Sequence, residues 1–344
     1  MQLNPVQTQR LASLQSYLEA DPENVQLRAD LFDAALEAGD LEVAGQQVSV
    51  VLQKTPDAKP WLHRQAVLCL ARKDYPAAQT ALEALISMGV NDVAVLYNLA
   101  FALFVQGQVE AARDRLAPVV DAAGEVMQPA LALWLRCMHH LAQPDEGLRT
   151  FDSYASAHTV TEEVLGVAGL MALDAGRTDD AGAWSARALA ANANRLEALV
   201  VQGSLVLGRQ DMAAAQAFFE RALAVNQTDG RSWSGLAFTY LLEQRLDLAH
   251  KAFHNAVRTM ARHIGTWIGL GGARSCAGTC LRRIRPSPAH WRWTGISARA
   301  TARWPWCWWR RASGPRRPGR LNWRLGWTRP VCQRATRRPC FLAR

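Results

Sequence analysis

Seven small residues lie on one 34-residue lattice: Ala44, Ala78, Ala112, Gly147, Ala181, Ala215 and Ala249, with a single one-residue insertion between Ala112 and Gly147. A fixed period of this length means that the chain repeats one supersecondary unit. Each unit is too small to bury its own apolar face and must be covered by its neighbours.

Other positions keep the same register, which separates the lattice from chance spacing in an alanine-rich chain. Twelve residues before each small residue come Phe32, Ala66, Ala100, Leu135, Gly169, Gly203 and Ala237, and Gly271 begins the next set. Four residues after come Val48, Leu82, Leu116, Phe151, Ser185, Phe219 and Phe253. Seven after come Val51, Leu85, Val119, Tyr154, Ala188, Ala222 and Ala256. Steps of four and three keep a set on one helix face. Small residues are needed where two antiparallel helices cross most closely, and large ones fill the gap toward the next hairpin.

The segment from Arg231 to Ala261 carries Trp233, Leu236, Ala237, Tyr240, Ala249, Phe253 and Ala256, and Trp267 to Gly271 starts another unit in register. Position by position, this segment resembles the tetratricopeptide repeat family. Pro56 stands one period after Pro22 as the family's turn proline, and Pro22 closes a lone helix from about Val6 to Glu19 that looks like a cap. Trp134 and Leu135, where smaller residues are usual, and Val90 and Ala193 in place of the turn proline depart from the pattern. The resemblance implies an all-α fold, a right-handed α-solenoid of helix-turn-helix repeats with an irregular or disordered C-terminal tail. The expected division is a capping helix in 1–24, about seven repeats and the start of an eighth in 25–271, and an aberrant tail in 272–344.

The tail differs in kind from the rest. Eighteen of the 39 basic residues are arginines from Arg274 onward and none of the 30 acidic residues lies there, so the chain before Arg274 has a net charge of −9 against +9 overall. Residues 272–344 contain no Asp, Glu or Lys, yet hold eight of the 13 Trp and five of the seven Cys. No ordinary globular segment has this composition. One explanation is a nucleic-acid-binding arm, with Arg on phosphates and Trp stacked on bases. The other is a reading-frame error in GC-rich DNA.

The genetic code discriminates between them. Trp is TGG and Thr is ACN, so in the frame beginning one base earlier a Trp-Thr pair reads Leu, Val or Met followed by Asp. Trp293-Thr294 and Trp327-Thr328 are one period apart, and both place that aspartate at the hairpin-ending position of the lattice. In the same frame Trp304-Pro305-Trp306-Cys307-Trp308-Trp309 reads as an apolar residue, Ala, an apolar residue, Val, Leu and Val. The alanine falls 68 residues after Ala237 and the leucine 68 after Tyr240. The expectation is a frame error soon after Gly271, with about two more repeats in the protein the gene evolved to encode. A nucleic-acid partner is therefore not expected.

Nothing in the remaining residues points to catalysis. Cys69 and Cys137 stand alone on helix faces, the ordinary place for a small apolar residue. His139 and His140 are adjacent, roughly 100° apart on a helix, and cannot chelate one metal together. Cys276 and Cys280 have a loose metal-like spacing but fall in the aberrant segment. There is no phosphate-binding glycine loop, nucleophile elbow or metalloprotease helix. No enzymatic activity, cofactor or metal is expected. Met1 to Asn24 lacks an apolar signal-peptide core, and no apolar run approaches a membrane span, so a cytoplasmic protein is expected, with the GC-biased character pointing to a bacterial source.

Members of such a family bind partners in a concave groove lined by the first helix of each pair. The groove positions implied here include His63, Val67, Tyr97, Phe101, Phe104, Arg136, His139, Leu170, Phe238 and Leu241. Tyr97, Phe101 and Phe104 set three aromatic rings along one inner face, which suits an apolar helix or extended peptide. Co-chaperone members of the family hold a carboxylate with Lys and Asn where this chain has Ala29, His63 and Tyr97, and Asp33, Val67 and Phe101. That clamp is absent. The expected function is a non-enzymatic scaffold or adaptor for a protein or peptide partner; the alternative is a nucleic-acid-binding or regulatory protein using the tail.

Overall fold

In a computed structural model of the chain, residues 5–120 and 127–276 are described. Among them the chain forms sixteen α-helices. A lone α1 (Pro5–Ala20) precedes hairpins α2 (Val25–Ala38) and α3 (Leu41–Lys54), α4 (Lys59–Ala71) and α5 (Tyr75–Ser87), α6 (Val93–Val105) and α7 (Val109–Val120), and α8 (Gln128–His140) and α9 (Pro144–Ala157). Then come α10 (Glu162–Asp174) and α11 (Thr178–Ala191), α12 (Leu196–Gly208) and α13 (Met212–Val225), α14 (Gly230–Leu242) and α15 (Leu246–Thr259), and α16 (Ile264–Cys276). The tail composition, the Cys276/Cys280 spacing and the shifted-frame positions concern side chains outside the described residues. No described helix is long and apolar enough to cross a membrane.

The helices begin and end where local chemistry dictates. Asp40, Asp74 and Asp211 each accept a hydrogen bond from the backbone N–H three residues on, capping the second helices α3, α5 and α13. Asn24, Asp92 and Asp229 do the same for the first helices α2, α6 and α14. Each such cap contributes about 1 kcal/mol. Between the helices of every hairpin one residue takes the left-handed conformation: Gly39, Lys73, Gly107, Ala142, Gly176, Gln210 and Gln244. These positions keep the same period, with the one-residue step between Gly107 and Ala142. A left-handed residue just past a helix end turns the chain back sharply enough for a short antiparallel connection.

The lattice residues occupy the crossings. Ala44, Ala78, Ala112, Ala181, Ala215 and Ala249 are fully buried, as is Gly147. So are Ala66, Ala100, Leu135 and Ala237 on the first helices, and Leu82, Leu116, Phe151, Phe219 and Phe253 four residues after the small positions. The described residues form two compact units, one made of residues up to 175 with 179–201, the other of 176–178 with the residues from 202 onward.

In the first unit α1 lays Leu11 and Leu18 into a cluster with Phe32, Ala35, Ala44, Val48 and Trp61. Further along, a Cβ added to Gly147 would run into Cε of Met171 and lie 3.2 Å from Cβ of Met138, so the two methionines hold this position to glycine, while Cδ2 of Leu135, at 3.7 Å, would be in ordinary contact. Trp134 is buried alongside, and its indole Nε1 has no hydrogen-bond partner. That unmet donor is a local cost of departing from the small-residue pattern.

In the second unit Trp233 and Trp267, one period apart, each donate from indole Nε1 to the carbonyl six residues earlier, on Gln227 and Ala261, at 2.8 Å. Helix α16 continues past Gly271, where the expected division placed the end of the repeats. Leu270 and Ala273 are buried with Ala249 and Phe253, and Arg274 Nε donates to His250 Nε2 at 3.0 Å.

Candidate binding groove

The first helices of the first unit pack side by side, α4 with α6, α6 with α8 and α8 with α10. This aligns one stripe from each. Residues three or four apart on one stripe point the same way, and the eight expected groove residues of this unit, His63, Val67, Tyr97, Phe101, Phe104, Arg136, His139 and Leu170, are all partly exposed. Phe238 and Leu241, in the second unit, are partly exposed too, but both pack on its core cluster. The Phe238 ring meets Phe253 edge-on at 4.9 Å.

On α6 the three expected aromatic residues are neighbours with different attachments. Tyr97 and Phe101 stack with centroids 6.5 Å apart, and Tyr75 approaches Phe101 edge-on at 6.3 Å. Phe104 packs edge-on against His140, on α8, at 5.2 Å. Such ring contacts hold the side chains in place while leaving part of each surface open.

A charged cluster adjoins the rings. Arg136 on α8 donates from Nη1 to Glu163 Oε1 on α10 and from Nη2 to Glu197 Oε1 on α12, both at 2.8 Å. Burial alone would lower the Arg136 guanidinium's pKa; the charges and hydrogen bonds of Glu197 and Glu163 outweigh it and raise it. Burial also raises the Tyr97 hydroxyl, and the Glu163 charge adds to the effect. Next to this, His139 Nε2 lies 2.7 Å from Asp174 Oδ2. One arginine against two carboxylates leaves the center of the face with net negative charge. A face expected to be apolar is thus mixed.

Glu163 and Glu197 were not among the expected positions. Glu163 lies seven residues before Leu170 on α10, so extending that stripe two turns toward the N-terminus reaches it, whereas α12, which carries Glu197, held no expected position. At the other end of the face, Arg64 lies 3.5 Å from Asp33 and over the rings of Trp61 and Phe32, at 5.2 and 5.8 Å from their centroids. His63 Nε2 is buried without a hydrogen-bond partner.

Among the described residues no group of three or more His, Cys, Asp or Glu side chains is arranged to hold a metal. Burial pushes the Cys137 thiol up to about 12 and raises that of Cys69, so neither is an activated nucleophile.

Residues 70–133 match the family model of the tetratricopeptide repeat. No curated protein matches the chain. Among solved structures, the chain is similar to one in the APC/C hetero-tetramer Cut9–Hcn1, at 15% identity and a TM-score of 0.60, over 78% of this chain and 52% of that one. The chain thus spans about half the length of that relative. It is also similar to a tetratricopeptide repeat protein from Parabacteroides merdae, at 14% identity and a TM-score of 0.55, over 72% of this chain and 97% of that one. At these identities the likeness is one of fold. With the family match lying inside a lattice whose small positions are all buried crossings from α2 to α15, the chain carries tetratricopeptide repeats and shares the fold of a tetratricopeptide repeat protein.

Proposed function

We propose that the protein is a non-enzymatic interaction scaffold that receives a partner peptide or helix along the first-helix face of its first unit. The observation that carries this reading is the pairing of half-open rings Tyr97, Phe101 and Phe104 with the adjoining Arg136, Glu163 and Glu197 cluster. Rings held by neighbours but open on one side give apolar contact area at low entropic cost, and the carboxylates offer acceptors at the edge. A segment with an apolar face flanked by a basic residue fits both parts. The structural relative in the Cut9–Hcn1 hetero-tetramer is a component of a protein assembly, which supports the same class of function.

The test is a peptide-display selection on the full chain, followed by binding measurements with a Phe101→Ser, Phe104→Ser double variant. Binding should fall at least tenfold while helical circular dichroism stays within a few per cent. Selected peptides that bind both proteins equally would move the site off this face.

A further inference from the structure

Helix α16 is a first helix whose covering partner is missing from the described residues. The other hairpins of its unit show what such a partner does. A Cβ built on Gly203 would lie 2.8 Å from the Phe219 ring, sixteen residues later, and one built on Gly235 of the following first helix would run into the same ring. Phe253 is held in the same way, against Phe238 on one side and Gly269 on the other. Phe219 and Phe253 are therefore each clasped between their own first helix and the next one.

Gly271 stands two periods after Gly203, yet nothing among the described residues comes within 4 Å of a Cβ built there. Around it Ile264, Trp267 and Ile268 are 49%, 39% and 62% exposed. One period earlier, the counterpart of Ile264 is Gly230, whose Cβ would meet Thr259 and Met260 at the end of the second helix. The counterpart of Ile268 is Ser234, buried 3.4 Å from Thr266 of the next first helix. The open side of α16 thus has the shape of a missing helix pair.

Read one base earlier, the chain's own codons supply that pair. Cys280, TGY, becomes NTG, an obligatory Leu, Met or Val, where Leu41, Met212 and Leu246 start second helices. Gly278-Thr279 gives Asp, Asn, His or Tyr at position 279, the cap position held by Asp40, Asp74 and Asp211. His290 becomes an obligatory Ala, Ser, Thr or Pro, matching Ala222 and Ala256, and Trp291 an obligatory Leu, matching Leu223 and Val257. A CGN codon for Arg283 gives a small residue on the lattice. A TCN codon for Ser287 gives Phe, Leu, Ile or Val, sixteen residues after Gly271 and on the position of Phe219 and Phe253. The register holds only if a single base is missing, because a gain of two would slide every position by one. The loss lies between the codons of Gly271 and Gly278.

We propose that the open side of α16 is the docking surface for the helices encoded by codons 278–310 in the earlier frame, and that the side chain at position 287 fills the space over Gly271. Insertion of one base between the codons of Gly271 and Gly278 makes this chain directly. The restored protein should melt several degrees above the chain as written. Gly271→Leu should be silent in the chain as written and should lower the midpoint of the restored one by about 3–10 °C, since overpacking a filled crossing is costly. Gly271→Ala should be tolerated in both, because Ala66, Ala100 and Ala237 hold that position elsewhere. A restored chain no more stable than the original would overturn the proposal. So would a Gly271→Leu effect that is absent from both proteins or equal in both.

Discussion

Gly147 has no room for a side chain: a Cβ there would run into Cε of Met171 and press on Cβ of Met138 at 3.2 Å, so the two methionines set the size of this lattice position. Helix α8, which supplies Met138, also carries Cys137, fully buried. Burial raises its thiol from the ordinary 9.0 to about 12, with the Arg113 and Arg136 charges pulling weakly the other way. The consequence for stability has a definite sign. The unfolded chain loses this proton once the pH passes 9, whereas the folded chain keeps it. The stabilisation is therefore complete below pH 9 and lost as pH rises toward 12, by about 1.4 kcal/mol per pH unit in that window. Cys137→Ala should flatten the alkaline limb of a stability-against-pH curve measured by urea unfolding. An unchanged slope would mean that the thiol ionises normally in the folded protein.

The turn between the helices of each hairpin is where element geometry and residue type agree least. Ala142 takes a left-handed φ of 55°, and Lys73, Gln210 and Gln244 do likewise at 61°, 64° and 63°, in positions that are glycine at 39, 107 and 176. Side chains in that region meet their own backbone, while glycine does not. Ala142 is exposed, so replacing it forfeits little buried area. Ala142→Gly should therefore stabilise the protein by about 0.5–1 kcal/mol, after the extra freedom of glycine in the unfolded chain is subtracted. Gly39→Ala should cost a similar amount; both are read from thermal midpoints. Helix pairs and crossings were legible in the sequence because each depends on residues within one period of each other, as Ala215 and its crossing show. The Arg136 contacts with Glu163 and Glu197 were not legible, because they join residues 27 and 61 apart and depend on how three first helices line up. Ala273 hid for another reason: α16 buries it beyond the point where the lattice seemed to end.

At the scale of the molecule, charge divides the chain more sharply than any linker. The residues before Arg274 carry a net charge of −9, and the 18 arginines from Arg274 onward reverse it to +9. A run of arginines binds any polyanion through counterion release, without reading sequence. The full chain should thus bind random duplex DNA and single strands alike, with affinity falling by about a thousandfold or more between 50 and 200 mM salt if six or more phosphates are contacted. A chain ending at residue 276 should not bind, since its first-helix face sets two carboxylates against Arg136. This separates accidental cationic binding from an evolved arm, because an arm shaped by selection discriminates among bases as well as neutralising phosphates. Fluorescence anisotropy on a random-sequence library at both salt concentrations reads the difference. Equal affinity for all sequences, vanishing at 200 mM salt, fits a tail translated in the wrong frame. A preferred sequence bound tenfold tighter at 150 mM salt would instead give the tail a function of its own and remove the case for a missing base.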